Sequence, residues 1–453
     1  FGNLHFTSTS QAKEFFANFV GISQDGSAIK FSLLSAMPYL LFAYLLNFWF
    51  IYRGLSRGIE LFCKYAMPAL FFIALIVLVR VLTLGTPNPN YPDRNVENGL
   101  GFMWNPVKTI LEQKKEDGMW KKEEELVGKW MIEQAQKKVD AAPDKYRIRE
   151  VGVLEQLSNP QLWLAAAGQI FFSLSVGFGV ILVYASYLRK DDDVILSGLA
   201  ATSANELCEV SLGGLITLPA SVAFLGIGTV AGMISTFALG FNVLPMVFSQ
   251  MPFGSIFGFL FFFLLFLAAI TSSLSMLQPG IAFLEEALGV GRKTSVAILG
   301  FVTLCGTAFV VHFSQDLKAL DTLDFWVGTF LIFVLATVQV IIFGWVWGAN
   351  NGIQEANRGS LLQISQFWAF ILRYLSPLYL LAIFSLWLIE NVLGVPLQGG
   401  APRTSAYIID LFVNPNLVAW FSIAIIISVG LLVALLAANS KRYQSKHNLD
   451  YQI

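Results

Sequence analysis

Long apolar runs separated by short polar connections set the pattern of this chain. Nine of them fall at about 31–51, 63–84, 161–187, 197–230, 254–286, 294–312, 325–348, 367–390 and 416–438. A membrane-spanning helix needs about 20 mostly apolar residues, so each run is read as one crossing. Several exceed that length, which predicts tilt or an internal break. The third run changes character at its centre, where Phe171, Phe172, Ser173, Leu174, Ser175, Val176, Gly177, Phe178 and Gly179 follow one another. Small residues at that depth let helices approach closely. They also suit a helix that opens and exposes peptide groups, which lipid tolerates only where those groups face a cavity.

The connections divide the chain further. Residues 1–30 are mixed and polar and are placed outside the hydrocarbon, before two crossings in 31–85. Residues 86–160 form a long exterior connection that opens on Thr86-Pro87-Asn88-Pro89-Asn90-Tyr91-Pro92, a turn-rich exit. Its insertion, 108–157, is highly charged. Lys121, Glu125 and Lys129, like Glu133 and Lys137, are spaced by four, which predicts an exposed helix. Leu126, Val127, Trp130 and Met131 would form its apolar face. Seven crossings occupy 161–440, with a re-entrant exterior hairpin at 231–253, rich in Gly and Pro. Lys and Arg concentrate at one set of connections (Arg53, Arg57, Lys64, Arg189, Lys190, Arg292, Lys293, Arg358) and in the tail, 441–453. Such a bias marks the cytoplasmic side, so the C-terminus is read as cytoplasmic. Nine crossings then put the start outside. Together with Phe1 as first residue and no signal pattern, this is read as upstream crossings being absent.

Composition fits. Of 453 residues 56% are hydrophobic and only 13% charged, with a mean hydropathy of +0.64; an ordinary soluble domain carries about 25% charged residues. An all-α polytopic membrane protein is expected. Cys63, Cys208 and Cys305, like His5, His312 and His447, are scattered and suggest neither a disulfide framework nor a metal centre. A net charge of -1 carries no nucleic-acid signature. Paired carboxylates, a nucleophile with its base, or metal ligands at membrane depth are not found, so an enzyme is not expected.

Polar groups within the runs are costly in lipid and need a reason. Gln169 lies one turn before Ser173 and Ser175. Asn205 and Glu209 are four apart and share a helical face. Thr271, Ser272 and Ser273 interrupt the fifth run, and Gln339 the seventh. Any one hydroxyl can bond back to its own helix or join two helices. Several clusters in several crossings fit a hard cation, which prefers oxygen ligands; sodium follows the same preference. Phe172 and Phe178 would wall an apolar pocket.

The string Gln169 to Gly179, followed by Tyr184-Ala185-Ser186-Tyr187, resembles the sixth helix of the neurotransmitter:sodium symporters. Asn205-Glu206 resembles the start of their seventh, Thr271-Ser272-Ser273 with Gln278-Pro279 their eighth, and Asp324-Phe325-Trp326 the start of their tenth. The resemblance implies a partial inverted-repeat transporter fold whose nine crossings correspond to the family's fourth to twelfth. It implies a substrate site lined by Phe172, Ser173, Ser175, Phe178, Ser272 and Met276. One sodium ion would use Ser173 and Asn205; a second would use the Ala268 carbonyl with Thr271 and Ser272. Asp324 would belong to an outer gate, Tyr187 and Glu286 to an inner one, and Gln169 to gating or coupling. Ser173 stands where many relatives have Thr, and Glu286 where Asp is frequent. Glu209 occupies a position that is Ser in chloride-dependent members, which implies chloride independence.

The expected function is sodium-coupled symport of an amino acid or similar small amine by alternating access. The expected setting is the plasma membrane, a bacterial inner membrane, with the lipid bilayer, sodium and substrate as partners and a homodimer as a possible assembly. A non-transporting solute sensor or scaffold of the same fold is the alternative; a channel is a third reading, without a visible filter.

Overall fold

A computed structural model describes residues 6, 8–115, 118, 120–157, 160–227, 230, 239–395 and 404–440. In chain order the first elements are α1 (Thr9–Val20), α2 (Met37–Tyr52), α3 (Leu61–Leu82) and α4 (Val96–Trp104). Strands β1 (Lys108–Lys114) and β2 (Trp120–Leu126), helix α5 (Lys129–Ala141), strand β3 (Tyr146–Val151) and α6 (Val153–Leu157) make up the insertion. Next are α7 (Pro160–Ser173), α8 (Val180–Ala185), α9 (Val194–Glu206), α10 (Leu215–Leu225) and α11 (Leu244–Gln250). The longest helix is α12 (Gly254–Leu288), followed by α13 (Arg292–His312), α14 (Lys318–Leu323), α15 (Ile332–Ile341) and α16 (Ala349–Asn357). The chain closes with α17 (Phe367–Phe370), α18 (Ser376–Trp387), α19 (Ala406–Ile408) and α20 (Leu417–Asn439).

In hydrocarbon a backbone must satisfy its own N–H and C=O groups, which is why the apolar runs become helices. Among the described residues, seven helical runs are long and apolar enough to cross a membrane: Gly58–Leu82, Val194–Leu225, Gly254–Leu288, Arg292–His312, Gln315–Asn357, Phe367–Val392 and Leu417–Asn439. This is a multi-pass membrane protein. Wider π-helical turns at Leu207–Gly214, Asp324–Leu331 and Ile342–Gly348 keep α9–α10 and α14–α16 continuous. The run expected at 31–51 is helical only from Met37 and has 16 residues. The run expected at 161–187 is two pieces, α7 and α8.

Two compact units emerge. The first comprises Phe1–Ala17, Tyr65–Asn159 and Ala204–Ala269. Its core joins Val77 and Val81 of α3, Ile216 and Ala220 of α10, and Val247 and Phe248 of α11. Helix α4, capped by the Asn95 side chain accepting from the Asn98 N–H at 2.7 Å, lies hard against α10. A Cβ on Gly99 would sit 2.5 Å from Cα of Pro219. The strands form an antiparallel sheet in the order β2-β1-β3. Leu111, Leu126, Met131 and Ala135 share a core with Val222 and Ile227, so the sheet and α5 are seated on the end of α10.

The helix expected through Lys121, Glu125 and Lys129 is corrected here. Residues 120–126 are a strand and the helix starts at Lys129. The four-residue charge spacing adds only a few tenths of a kcal/mol per pair, whereas pairing with β1 satisfies the backbone along the strand. In the expected hairpin, residues 231–238 lie outside the described residues; the rest is a π-helical turn, Leu239–Val243, and the buried helix α11. Its apolar face, Leu244, Val247 and Phe248, drives it into the core. The tail 441–453 also lies outside the described residues.

The second unit comprises Asn18–Lys64, Pro160–Ser203 and Ile270–Ile453. Here α2 packs on α13, with the Tyr44 hydroxyl donating to the Gly300 carbonyl. Helix α20 begins where the Asn416 side chain accepts from the N–H groups of Val418 and Ala419. Lys318 pairs with Asp410, and the rings of Phe325 and Tyr407 stack at 3.7 Å.

Candidate functional site

The break between α7 and α8 is built by a specific local device. The Val176 N–H donates to the Phe171 carbonyl (3.0 Å) and the Ser175 N–H to that of Phe172 (3.1 Å). This 6→1 and 5→2 pair is a Schellman helix end, which requires one left-handed residue. Ser175 supplies it, with φ 55. Gly177 (φ 87) and Gly179 (φ 78) continue the left-handed turns before α8 starts. Among the described residues, the carbonyls of Leu174, Val176 and Gly177 accept no backbone hydrogen bond. Gly177 is fixed in place by α15: a Cβ there would lie 2.7 Å from the Ile332 carbonyl oxygen.

Beside the break lies a cavity of about 350 Å³. Gln169 and Phe172 of α7, Asp324 and Thr329 of the π-helical turn, and Phe384 and Trp387 of α18 are among its walls. Aromatic contacts hold the walls together: Phe171 on Phe333 (5.7 Å), Phe333 on Phe384 (6.1 Å) and Phe330 on Trp387 (5.4 Å). The lining is mostly apolar, with Gln169, Asp324 and Thr329 as its polar members. Among the described residues, no lysine or arginine lies within ion-pair distance of Asp324.

The expected site residues distribute as follows. In the second unit, Gln169, Phe172 and Asp324 gather around the cavity, and Phe172 meets Phe178 edge-on at 6.0 Å. Ser173 ends α7 and Ser175 is the left-handed residue; neither these nor Phe178 lines the cavity. On α12, Thr271 is buried while Ser272 and Met276 are exposed, and these three also stand apart from the cavity. Tyr187 is reached: its hydroxyl accepts from Gln278 Nε2 at 3.1 Å. Glu286, half-buried, sits in the last turns of α12. In the first unit, Asn205 Nδ2 donates to Glu209 Oε2 at 3.4 Å, at the entry to the π-helical turn Leu207–Gly214. Ala268 is half-buried on α12, three residues before Thr271 and thus on the same helical face.

The structure adds residues that the sequence reading passed over. Gln278, 1% exposed, also accepts from Arg292 Nη2 (3.1 Å), and Arg292 Nε donates to the Ile51 carbonyl (3.1 Å). Tyr187, Gln278, Arg292 and the end of α2 thus form one network. Ser273 donates to Asn47 of α2 at 2.5 Å, and Tyr184 to Ser275 at 3.2 Å. The available signal was Asn47 itself, a single amide in an apolar run, which demands a partner.

The profile of the sodium:neurotransmitter symporter family matches residues 151–442. An uncharacterized sodium-dependent transporter of Methanocaldococcus jannaschii is 28% identical over 233 residues, 50% of this chain and 46% of that protein. One of Haemophilus influenzae is 26% identical over 355 residues, covering 76% and 64%. The sodium-dependent nutrient amino acid transporter 1 of Drosophila virilis is 28% identical over 239 residues, 51% and 37%. This chain therefore spans less than two thirds of the length of each. The crystal structure of MhsT in complex with L-phenylalanine is similar in fold, with a TM-score of 0.56 at 20% identity over 83% of this chain and 76% of that one.

Proposed function

This chain belongs to the sodium:neurotransmitter symporter family, and from that premise we propose that it carries an amino acid or similar small amine across a membrane, coupled to sodium. The observation that carries the reading is the break between Ser173 and Val180. Opening a helix inside an apolar run leaves carbonyls without helical partners, a cost that only a ligand or water repays. The C-terminal end of α7 adds the negative end of a helix dipole, which favours a cation. Broken helices that bind ions in this way have this family as their standing example.

In this reading Ser173 and Asn205 hold one sodium ion, and the Ala268 carbonyl with the Thr271 and Ser272 hydroxyls holds another. The substrate lies along Phe172, Ser173, Ser175, Phe178, Ser272 and Met276. The cavity walled by Gln169, Phe172 and Asp324 is the approach to that site, with Asp324 as its outer gate. Tyr187 and Glu286 close the opposite end, where the hydrogen bonds through Gln278 and Arg292 support such a role. Glu209 supplies a fixed negative charge beside Asn205, which makes transport independent of chloride. The names of the relatives, sodium-dependent transporters and a nutrient amino acid transporter, support both the ion and the substrate class.

The experiment is uptake into proteoliposomes under an inward sodium gradient. Accumulation of an amino acid should fall at least tenfold when sodium is replaced by a large organic cation. Uptake that ignores the replacement overturns the proposal, and saturable binding without flux would favour a sensor.

A further inference from the structure

Two connections of the second unit are joined by one carboxylate and by a close backbone approach. One is 186–193, between α8 and α9; the other is 358–366, between α16 and α17. Asp193 serves both. Its Oδ1 accepts from the Leu196 N–H at 2.8 Å, capping α9, while its Oδ2 accepts from the Leu361 N–H at 2.8 Å. Gly359 lies so close to Asp191 that a Cβ would overlap the Asp191 backbone carbonyl, so only glycine fits there. The amides of Leu196 and then Leu361 hold the Asp193 carboxyl below the usual carboxylate range, which keeps it ionised near neutrality. Of the charged groups nearby, Arg358 is occupied with Glu355 at 3.4 Å, and Asp192 accepts from the Arg189 N–H at 2.8 Å.

The elements that lead into these two connections also meet. Gly177, in the break, fits against Ile332, and Phe171 meets Phe333 beside the cavity. The broken helix and the run Asp324–Asn357 therefore touch at two levels, the cavity and the break, and the connections that follow each of them touch at a third. Packed surfaces of this kind shift between discrete arrangements and do not deform continuously.

We infer that the Asp193–Leu361 contact is a yoke that makes the run Asp324–Asn357 and its following connection move as one body with α8 and the start of α9. Its consequence for transport rests on the function proposed above, but the yoke itself is measurable without transport.

The test is hydrogen–deuterium exchange on the full chain in lipid nanodiscs. Gly359→Ala leaves Asp193 and its cap on α9 untouched while pushing the second connection away. Amides of 358–363 and of 189–197 should then both exchange about two- to tenfold faster, the range a lost surface hydrogen bond spans. Asp193→Asn, which keeps one acceptor oxygen, should speed the same two stretches by less. A thermal melt of each variant, unchanged within a few degrees, separates local release from global unfolding; if Gly359→Ala melts globally, Asp193→Asn decides. Faster exchange confined to 358–363, or to neither stretch, overturns the yoke. Adding sodium should alter exchange in both stretches together in the unmodified chain, and in 189–197 alone in Gly359→Ala. A joint response that survives the substitution also overturns it. Exchange indifferent to sodium in the unmodified chain would instead count against the transport reading, while joint acceleration in Gly359→Ala would still support the yoke.

Discussion

Ser175 and Gly177 both adopt left-handed backbone in the break, yet they are not equivalent. At Ser175 the left-handed conformation costs about 1–2 kcal/mol for an L-residue, against about 0.5–1 kcal/mol that a glycine would lose in backbone entropy. Ser175→Gly should therefore leave stability unchanged or raise it by about 0.5 kcal/mol. Gly177 has no such latitude, because its missing Cβ is the space that the Ile332 carbonyl occupies, 2.7 Å away. Gly177→Ala combines the left-handed cost with overpacking of about 1–3 kcal/mol, so a loss of about 3 kcal/mol is expected. Thermal unfolding in detergent checks the pair; equal melting temperatures for the two variants would show that Gly177 is not packed as described. Asp193 makes the complementary case for charge. Its carboxyl is held below the usual range by two backbone amides. The stabilisation it gives is thus present above the ordinary carboxylate pKa, through neutral pH, and fades only as acid protonates it.

Elements differ in how much of them is visible in the residues alone. The break in α7–α8 was legible because hydroxyls and glycines inside an apolar run have few structural uses other than close packing or opening. The helices α12, α13, α18 and α20 were legible because their apolar length exceeds anything a strand would need. Strand β2 was not: Lys121 and Glu125 carry a helical spacing, and only the partner strand β1, with the bulge between Leu111 and Glu112, decides otherwise. The sheet has its own anchor. Glu112, 5% exposed in β1, accepts from Arg147 Nε at 2.6 Å and Arg149 Nε at 3.2 Å. Both guanidinium groups are more than a third exposed, so water partly replaces the carboxylate when it is removed. Glu112→Ala should destabilise the sheet by about 1–2 kcal/mol, below the 3–5 kcal/mol of a fully buried pair. Hydrogen exchange should rise in 108–151 while α12 and α13 keep their protection; unchanged exchange in the strands would remove Glu112 as the anchor. The Gln278–Arg292 network was illegible for a similar reason, since it joins α12, α13 and the end of α2, whose meeting only the fold creates.

At the scale of the whole molecule, the transport proposed above raises the question of how charge would be balanced between ion-loaded and empty states. Most of its ionised groups lie in connections and in the insertion, and Glu206 and Glu209 are among the few within the apolar runs. An unpaired charge at membrane depth costs several kcal/mol, and a cycle that moves sodium must offset that cost whether or not the ions are bound. Glu209 is placed to do so: it is half-buried, four residues from Asn205, with its carboxylate 3.4 Å from the Asn205 amide. It stands at the start of a π-helical turn, a geometry frequent at functional sites because it leaves backbone groups and side chains displaced from the regular ladder. If this carboxylate is the fixed anion of the proposed cycle, transport by the unmodified chain should be equal in chloride and in gluconate. Glu209→Ser removes the fixed charge and introduces a hydroxyl that can donate to an anion. Uptake by this variant should drop about tenfold when chloride is replaced, a difference of about 1.4 kcal/mol, and should recover as chloride is restored. The recovery distinguishes a lost charge from a damaged helix, because a misfolded variant stays inactive at every chloride concentration. Uptake by Glu209→Ser that is robust and equally indifferent to chloride would place the balancing charge elsewhere and remove Glu209 from the coupling.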